Sequence, residues 1–285
     1  MINYNISYVS ENQYEVPVSE AFFEFLVLPC NDSTQKSTLS SLRDSLGDDF
    51  HVSKNAFGFD VIRVRAHKNF QKYEFSISSK VEKNDDVPLV RGSVLPKKQE
   101  FEMLKSLPFI IDNAIFLRNT PLTTLSEESL SKTPQYDGKK SVYSYLLELN
   151  DYVFMKLVYT PFVTNTDTTA EEAFQLEMGV GQDFAHLFIA IARANGIPAR
   201  YVSGYTNRVN TYKVIPAMDA WVEALIPGAG WAGFDPTNNR LVDENYIKVA
   251  HGTDYSDCTP LKGLLRTQGK GFHHTFCSVD VKQIK

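Results

Sequence analysis

Cysteine is scarce in this chain: 285 residues hold only three, Cys30, Cys258 and Cys277. They are too few and too scattered for a disulfide framework or a zinc site. No apolar run approaches the roughly 20 residues that a membrane-spanning helix needs. An excess of positive charge is missing too, since 29 basic residues face 34 acidic ones for a net charge of −5. That argues against a nucleic-acid partner, which demands a basic patch. The first residues, "MINYNISYVSENQYEV", lack a basic stretch leading into an apolar one, so no secretory signal is read there. No membrane association is expected, and a cytoplasmic location is the expectation. There is no internal repeat and no low-complexity segment.

What is present is a globular composition, with 43% hydrophobic and 22% charged residues. The length suffices for one large domain or two small ones with a sizeable core. The first part reads as β-rich. "GFDVIRVRA" places Ile62, Val64 and Ala66 on one face and Arg63 and Arg65 on the other. "YEFSISSK" sets Tyr73, Phe75 and Ile77 against Glu74, Ser76 and Ser78. A period of two marks half-buried strands. "EAFFEFLVLP" reads as a further strand, and "KNAFG" as the turn before Gly58. An antiparallel sandwich or barrel over residues 1–105 is expected.

The middle turns helical. "PKKQEFEMLKSLP" is bounded by Pro96 and Pro108. Val142, Tyr145, Leu146, Leu149, Tyr152 and Val153 recur at helical spacing. Thr169 stands three residues before Glu172, the signature of a capping box opening a short helix that ends near Gly179. "TTLSEESLSKTPQYDGKK" reads as an exposed loop. In "GVGQDFAHLFIAIARANGIPARYVSGY", Phe184, Leu187, Phe188 and Ile191 give a helix from about Gln182 to Asn195, stopped by Gly196 and Pro198. Strands follow in "ARYVSGYT", "DAWVEALIP", "GWAGFDP" and "HHTFCSVDVKQI", the last with Thr275, Cys277, Val279 and Val281 on one face. Residues 106–285 therefore read as an α+β unit, with a buried helix on an antiparallel sheet and a helical segment before it.

"GVGQDFAHLFIAIARANGIPARYVSGY", "DAWVEALIPGAGWAGFDPTNN" and "HGTDYSDCTPLKG" resemble the bacterial transglutaminase-like proteins of the papain-like superfamily, in the branch with an N-terminal β domain. The resemblance implies that fold and a cysteine–histidine–aspartate triad. There the cysteine at the helix start attacks an amide or ester carbonyl, the histidine moves the proton, and the aspartate orients the histidine. In this chain Gly181 occupies the cysteine position and Asp219 the histidine position, in "MDAW", while Asp235 in "FDPTNN" retains the aspartate. Gln182, Asp183, His186 and Trp221 are the expected pocket residues around this remnant, and Trp231 also matches the family pattern.

Glycine offers no nucleophile, and aspartate offers no neutral imidazole base near pH 7. Two carboxyls at the family's separation cannot both ionise cheaply, so they share a proton or attract a cation. Plainer roles compete at each position. Gly181 serves a tight turn, Asp183 caps the helix, His186 is a hydrogen-bonded core histidine, and Asp219 points to solvent at a strand start. Trp221 and Trp231 read as core or pocket wall, and Cys277 as a packed core residue. Cys258 as a displaced nucleophile lacks a histidine to activate it. Three functions stay open: a non-catalytic protein whose cleft binds a peptide, amino-sugar or protein ligand; a hydrolase that uses Asp219 and Asp235 as an acid–base dyad or metal site; and a structural or assembly protein. The first ranks highest, and no cofactor is implied.

Overall fold

A computed structural model of the chain describes residues 2–47, 49–84, 89–207 and 218–284. The first elements are strands: β1 (Ile2–Phe25), β2 (Gln35–Asp44), β3 (Phe50–Lys54), β4 (Asp60–Ala66) and β5 (Phe70–Lys83). The alternation holds, since Ile62, Val64, Ala66, Tyr73, Phe75 and Ile77 are all buried. The Asn55–Gly58 turn precedes β4, with Gly58 in the left-handed region at φ 84°. β1 is 24 residues long and takes in the N-terminal segment as well as "EAFFEF".

Helices follow: α1 (Lys97–Leu104), α2 (Leu107–Asp112), α3 (Ala114–Leu117), α4 (Glu127–Ser131) and α5 (Val142–Lys156). The stretch expected to be an exposed loop contains α4 and is held down instead. Ser126 caps the helix through Ser129 N, and the Ser129 hydroxyl, fully buried, donates to Glu171 Oε1 at 2.7 Å. A two-residue parallel pair, β6 (Val158–Tyr159) with β7 (Met178–Gly179), flanks α6 (Ala170–Leu176). The Thr169–Glu172 capping box forms in both directions, at 2.8 and 3.2 Å. The helix stops at Leu176, with Glu177 rather than a glycine in the left-handed position at φ 55°.

The central helix α7 (Gly181–Ala194) is buried along most of its length and ends at Gly196, φ 72°. It packs on β8 (Ala199–Thr206) and β9 (Asp219–Ile226). β10 (Gly230–Asp235), β11 (Arg240–Leu241) and β12 (Tyr246–Gly252) complete an antiparallel five-stranded sheet in the order β11-β10-β9-β8-β12. The fold is α+β, as expected.

The last strands, β13 (Leu261–Thr267) and β14 (His273–Ile284), do not join this sheet. They run antiparallel to β1 along nearly its whole length, from Phe25↔Leu261 to Asn3↔Ile284. The expected division at residue 105 is corrected accordingly, because the C-terminal segment supplies two strands of the N-terminal sheet. β1 is long enough to seat β5 and β4 along one edge and this returning segment along the other. Cys277, Val279 and Val281 turn inward against the shared core.

Candidate functional site

The start of α7 is built by side chains that serve its first amides. Asp183 Oδ2 accepts from Val180 N and from the Thr164 hydroxyl, both at 2.7 Å. Asp183 is therefore the third residue of the helix reaching back over its own start, not the N-cap that the sequence left open as its plainer role. Burial raises its pKa against those hydrogen bonds. Gln182 Nε2 donates to Asn165 O at 2.7 Å, so the loop before α6 is tied to the same helix end.

Gly181 lies at the first helical position, outside the left-handed region. A Cβ built there would meet Thr237 Oγ1 at 3.6 Å and the Ala220 methyl at 3.9 Å, both ordinary contacts. Neither backbone nor space requires a glycine at this point. Gly179 differs, because a Cβ there would come within 2.7 Å of Asp183. The turn into the helix thus depends on Gly179. Position 181 faces the residue after Asp219 and the residue two beyond Asp235.

Asp235 ends β10 and is buried. Its carboxylate accepts from Tyr246 Oη at 2.7 Å, Asn238 Nδ2 at 2.8 Å, and the amides of Thr237 and Asn238 at 3.0 and 3.1 Å. Burial raises its pKa, those donors oppose the rise, and the charge of Asp219 adds a smaller push upward. Asp219 opens β9, is half-buried, and accepts from the Thr206 hydroxyl at 3.0 Å. Its charge also reaches Tyr159, whose pKa rises chiefly through burial. Gly181, Asp219 and Asp235 therefore converge on one end of the sheet.

Two expected pocket residues lie elsewhere. His186 is fully buried, and its Nε2 accepts from Tyr255 N at 3.1 Å. Burial, opposed by Asp254, lowers its pKa to about 4 and keeps the ring neutral. It fixes the loop after β12 and is closed off from solvent. Trp221 packs edge-on to Tyr246, with ring centroids 5.4 Å apart, on the sheet face away from α7. It supports Asp235 through Tyr246 and lines a different cavity. Cys258 is fully buried with its pKa pushed up by burial, so its thiol is kept protonated. Among the described residues no group of three His, Cys, Asp or Glu side chains could hold a metal ion.

Sequence reasoning missed the groove beside the remnant. A cavity of about 480 Å³ lies between β1, β13 and β14 on one side and Thr166, Met218 and Tyr255 on the other. Met218 directly precedes Asp219, and Thr166 follows the Asn165 that holds Gln182. Tyr8, Tyr14 and Phe23 make its wall aromatic. The only sequence signal was the alternation of Tyr4, Ile6 and Tyr8, and it did not reveal which strand returns beside β1.

Gly181 thus faces the first residues of β9 and the loop that follows β10. The transglutaminase-like superfamily model matches residues 131–236. Those residues form a transglutaminase-like core. An uncharacterized protein of Mycobacterium tuberculosis is 27% identical over 279 residues, covering 94% of this chain and 88% of its own. A protein-glutamine gamma-glutamyltransferase of Pseudomonas aeruginosa is 35% identical over 83 residues, 27% of this chain and 12% of that protein. Across the whole chain the fold is similar to a solved structure from Cytophaga hutchinsonii described as "a Putative Cysteine Protease", with TM-score 0.78, 26% identity, and coverage of 100% of this chain and 91% of that one. Among the described residues no helix is long and apolar enough to cross a membrane.

Proposed function

We propose that this transglutaminase-like core has lost thiol catalysis and retains its cleft to bind a peptide or protein segment. The observation that carries the reading is Gly181 itself. It stands at the helix start facing the Asp219 and Asp235 strands, at a position where a side chain would fit and none is present. Acyl transfer by this fold needs a thiolate and an imidazole. Position 181 has no thiol, position 219 has a carboxylate, and Cys258 is sealed in the core. The aromatic groove next to Met218 is large enough for a few side chains of an extended peptide. Three free cysteines agree with a reducing, cytoplasmic setting.

The test is turnover of amide and ester substrates with and without a thiol alkylator. No alkylation-sensitive turnover is expected. Turnover abolished both by alkylation and by Cys258→Ser would place the nucleophile elsewhere and end this reading.

A second reading rests on the upward push that Asp219 exerts on the buried Asp235. A buried carboxyl pushed upward by a second carboxyl nearby is one element of an acid–base dyad. Asp235 is already held by four donors, which favours a supporting role for it. Hydrolysis insensitive to alkylation and abolished by Asp219→Asn would favour the dyad over the binding cleft.

A further inference from the structure

We propose that the groove beside Met218 takes an uncharged aromatic side chain of an extended peptide, and that Asn12 donates a hydrogen bond to a carbonyl oxygen of that peptide. The inference rests on the reading of the cleft as peptide-binding and names the class of peptide. The groove originates in the sequence of β1, which carries Pro17, a residue that cannot donate to a ladder. Pairing is interrupted there. The register of β1 with β5 shifts between Gln13 and Val18, β14 pairs only up to Tyr14, and β13 pairs from Val18 onward. The groove of about 480 Å³ lies against this interruption, with Tyr14 before it and Phe23 beyond it in its lining. Gly263, the partner of Phe23, keeps a side chain out of the space, since a Cβ there would stand 3.3 Å from the Phe23 ring. The volume falls in the size range of small-ligand sites.

The lining is neutral. Among the described residues it presents Tyr8, Tyr14, Phe23, Met218, Leu261 and Leu265, and no carboxylate, ammonium or guanidinium group. Burial raises the pKa of Tyr14 to about 12, and burial followed by the neighbouring Cys277 raises that of Tyr8, so both phenols keep their protons. His273 stacks on Tyr14 with ring centroids 6.0 Å apart and extends the flat wall. A charged side chain entering here would leave water without a counter-ion. A ring would instead exchange water for aromatic faces.

One amide breaks this apolar surface. Asn12 occupies an inward position of β1 and is only 2% exposed. The Thr275 hydroxyl donates to its Oδ1 at 2.7 Å, while its Nδ2 has no partner among the described residues. A buried amide donor left unpaired is costly, and a carbonyl oxygen brought by a ligand removes that cost. Asn12 lines the same cavity as the rings. A peptide offers both groups together, because every residue carries a carbonyl beside its side chain. A second cavity of about 300 Å³ shares Tyr14, Leu265 and His273 with the groove and follows the turn between β13 and β14, which leaves room for the chain beyond the bound residue.

The probe is N-acetyl-phenylalanine amide, an uncharged ring with two carbonyl groups, titrated into the full chain carrying carbon-13 at its methionine methyls. Met218 lines the groove, and Met218→Leu assigns its signal. That signal should shift saturably. The lysine and glutamate counterparts of the probe should bind more weakly by about tenfold or more for their uncompensated charge, and the alanine counterpart for the lost ring. Asn12→Leu should weaken the phenylalanine probe by about fivefold or more, the worth of one hydrogen bond. Asn12→Asp, which keeps the acceptor for Thr275 and loses the donor, should do the same. Leu265→Glu in the groove wall should abolish binding, and Leu264→Glu, 74% exposed on the other face of β13, should leave it unchanged. No saturable shift, equal binding of the charged counterparts, or unchanged affinity in the Asn12 variants would each overturn the proposal. Should the Asn12 variants fail to fold, the comparison of probes in the native chain and in Leu265→Glu decides the question. Alkylation-sensitive turnover tests the loss of thiol catalysis separately, so a failed titration ends this inference and leaves that conclusion standing.

Discussion

Gly181 and Gly179 sit two residues apart, and only Gly179 is held to glycine by its surroundings. At 181 a side chain meets only ordinary contacts and the backbone is helical. Gly181→Ala should therefore stabilise the fold by about 0.4–1 kcal/mol, through the reduced freedom of the unfolded chain. Gly179→Ala pushes against Asp183 at 2.7 Å and should cost roughly 1–3 kcal/mol. Urea unfolding of the two variants measures both. From the sequence a tight turn at Gly181 stays open as a plainer role, because spacing shows that glycines are present and not which one is crowded. His186 makes a second residue-scale prediction. Its folded pKa of about 4 lies below its ordinary 6.5, so acid protonates the unfolded state first. Its contribution is whole above pH 6.5 and is lost as pH falls toward 4, by about 3 kcal/mol at most. His186→Gln keeps an acceptor for Tyr255 N and should flatten the stability profile between pH 6.5 and 4. An unchanged profile would mean that His186 is not the buried neutral ring described above.

Local elements were legible where pattern and chemistry coincided. Thr169 and Glu172 announce a capping box and form one, so Thr169→Ala should lower stability by about 1 kcal/mol, read from the thermal midpoint. The faces of β4 and β5 follow directly from their period of two. α4 escaped notice because "LSEESLSK" is polar at nearly every position, and what orders it is Glu171, a residue about 40 positions further on. The N-terminal half of β1 also went unread, although Tyr4, Ile6 and Tyr8 alternate with Asn5, Ser7 and Val9. His186 was legible as a core histidine from its place among Phe184, Leu187 and Phe188. Its partner on the loop after β12 was not, since that contact joins residues 69 positions apart.

At the scale of the whole molecule, long-range pairing decides what the sequence could not. β14 looks like any amphipathic strand, and nothing local says whether it extends the five-stranded sheet or returns to β1. It returns, and in doing so it closes the chain's two halves around one core and walls the groove beside Asp219. Residues 106–285 expressed alone should therefore leave β13 and β14 unpaired. Hydrogen exchange should find those strands unprotected in the fragment and protected in the full chain. Protection in both would make the second half an independent unit. In the proposed reading Gly181 and Asp219 occupy the thiol and imidazole positions of the transglutaminase-like core. The most direct measurement of that placement is the alkylation rate at position 181 at neutral pH, located by peptide mass spectrometry, in Gly181→Cys alone and combined with Asp219→His. The helix start and an adjacent imidazolium both lower a thiol pKa, so the double variant should react faster by roughly tenfold or more, the effect of about one pKa unit. Equal rates in the two variants would show that positions 181 and 219 do not face each other, and would contradict the account.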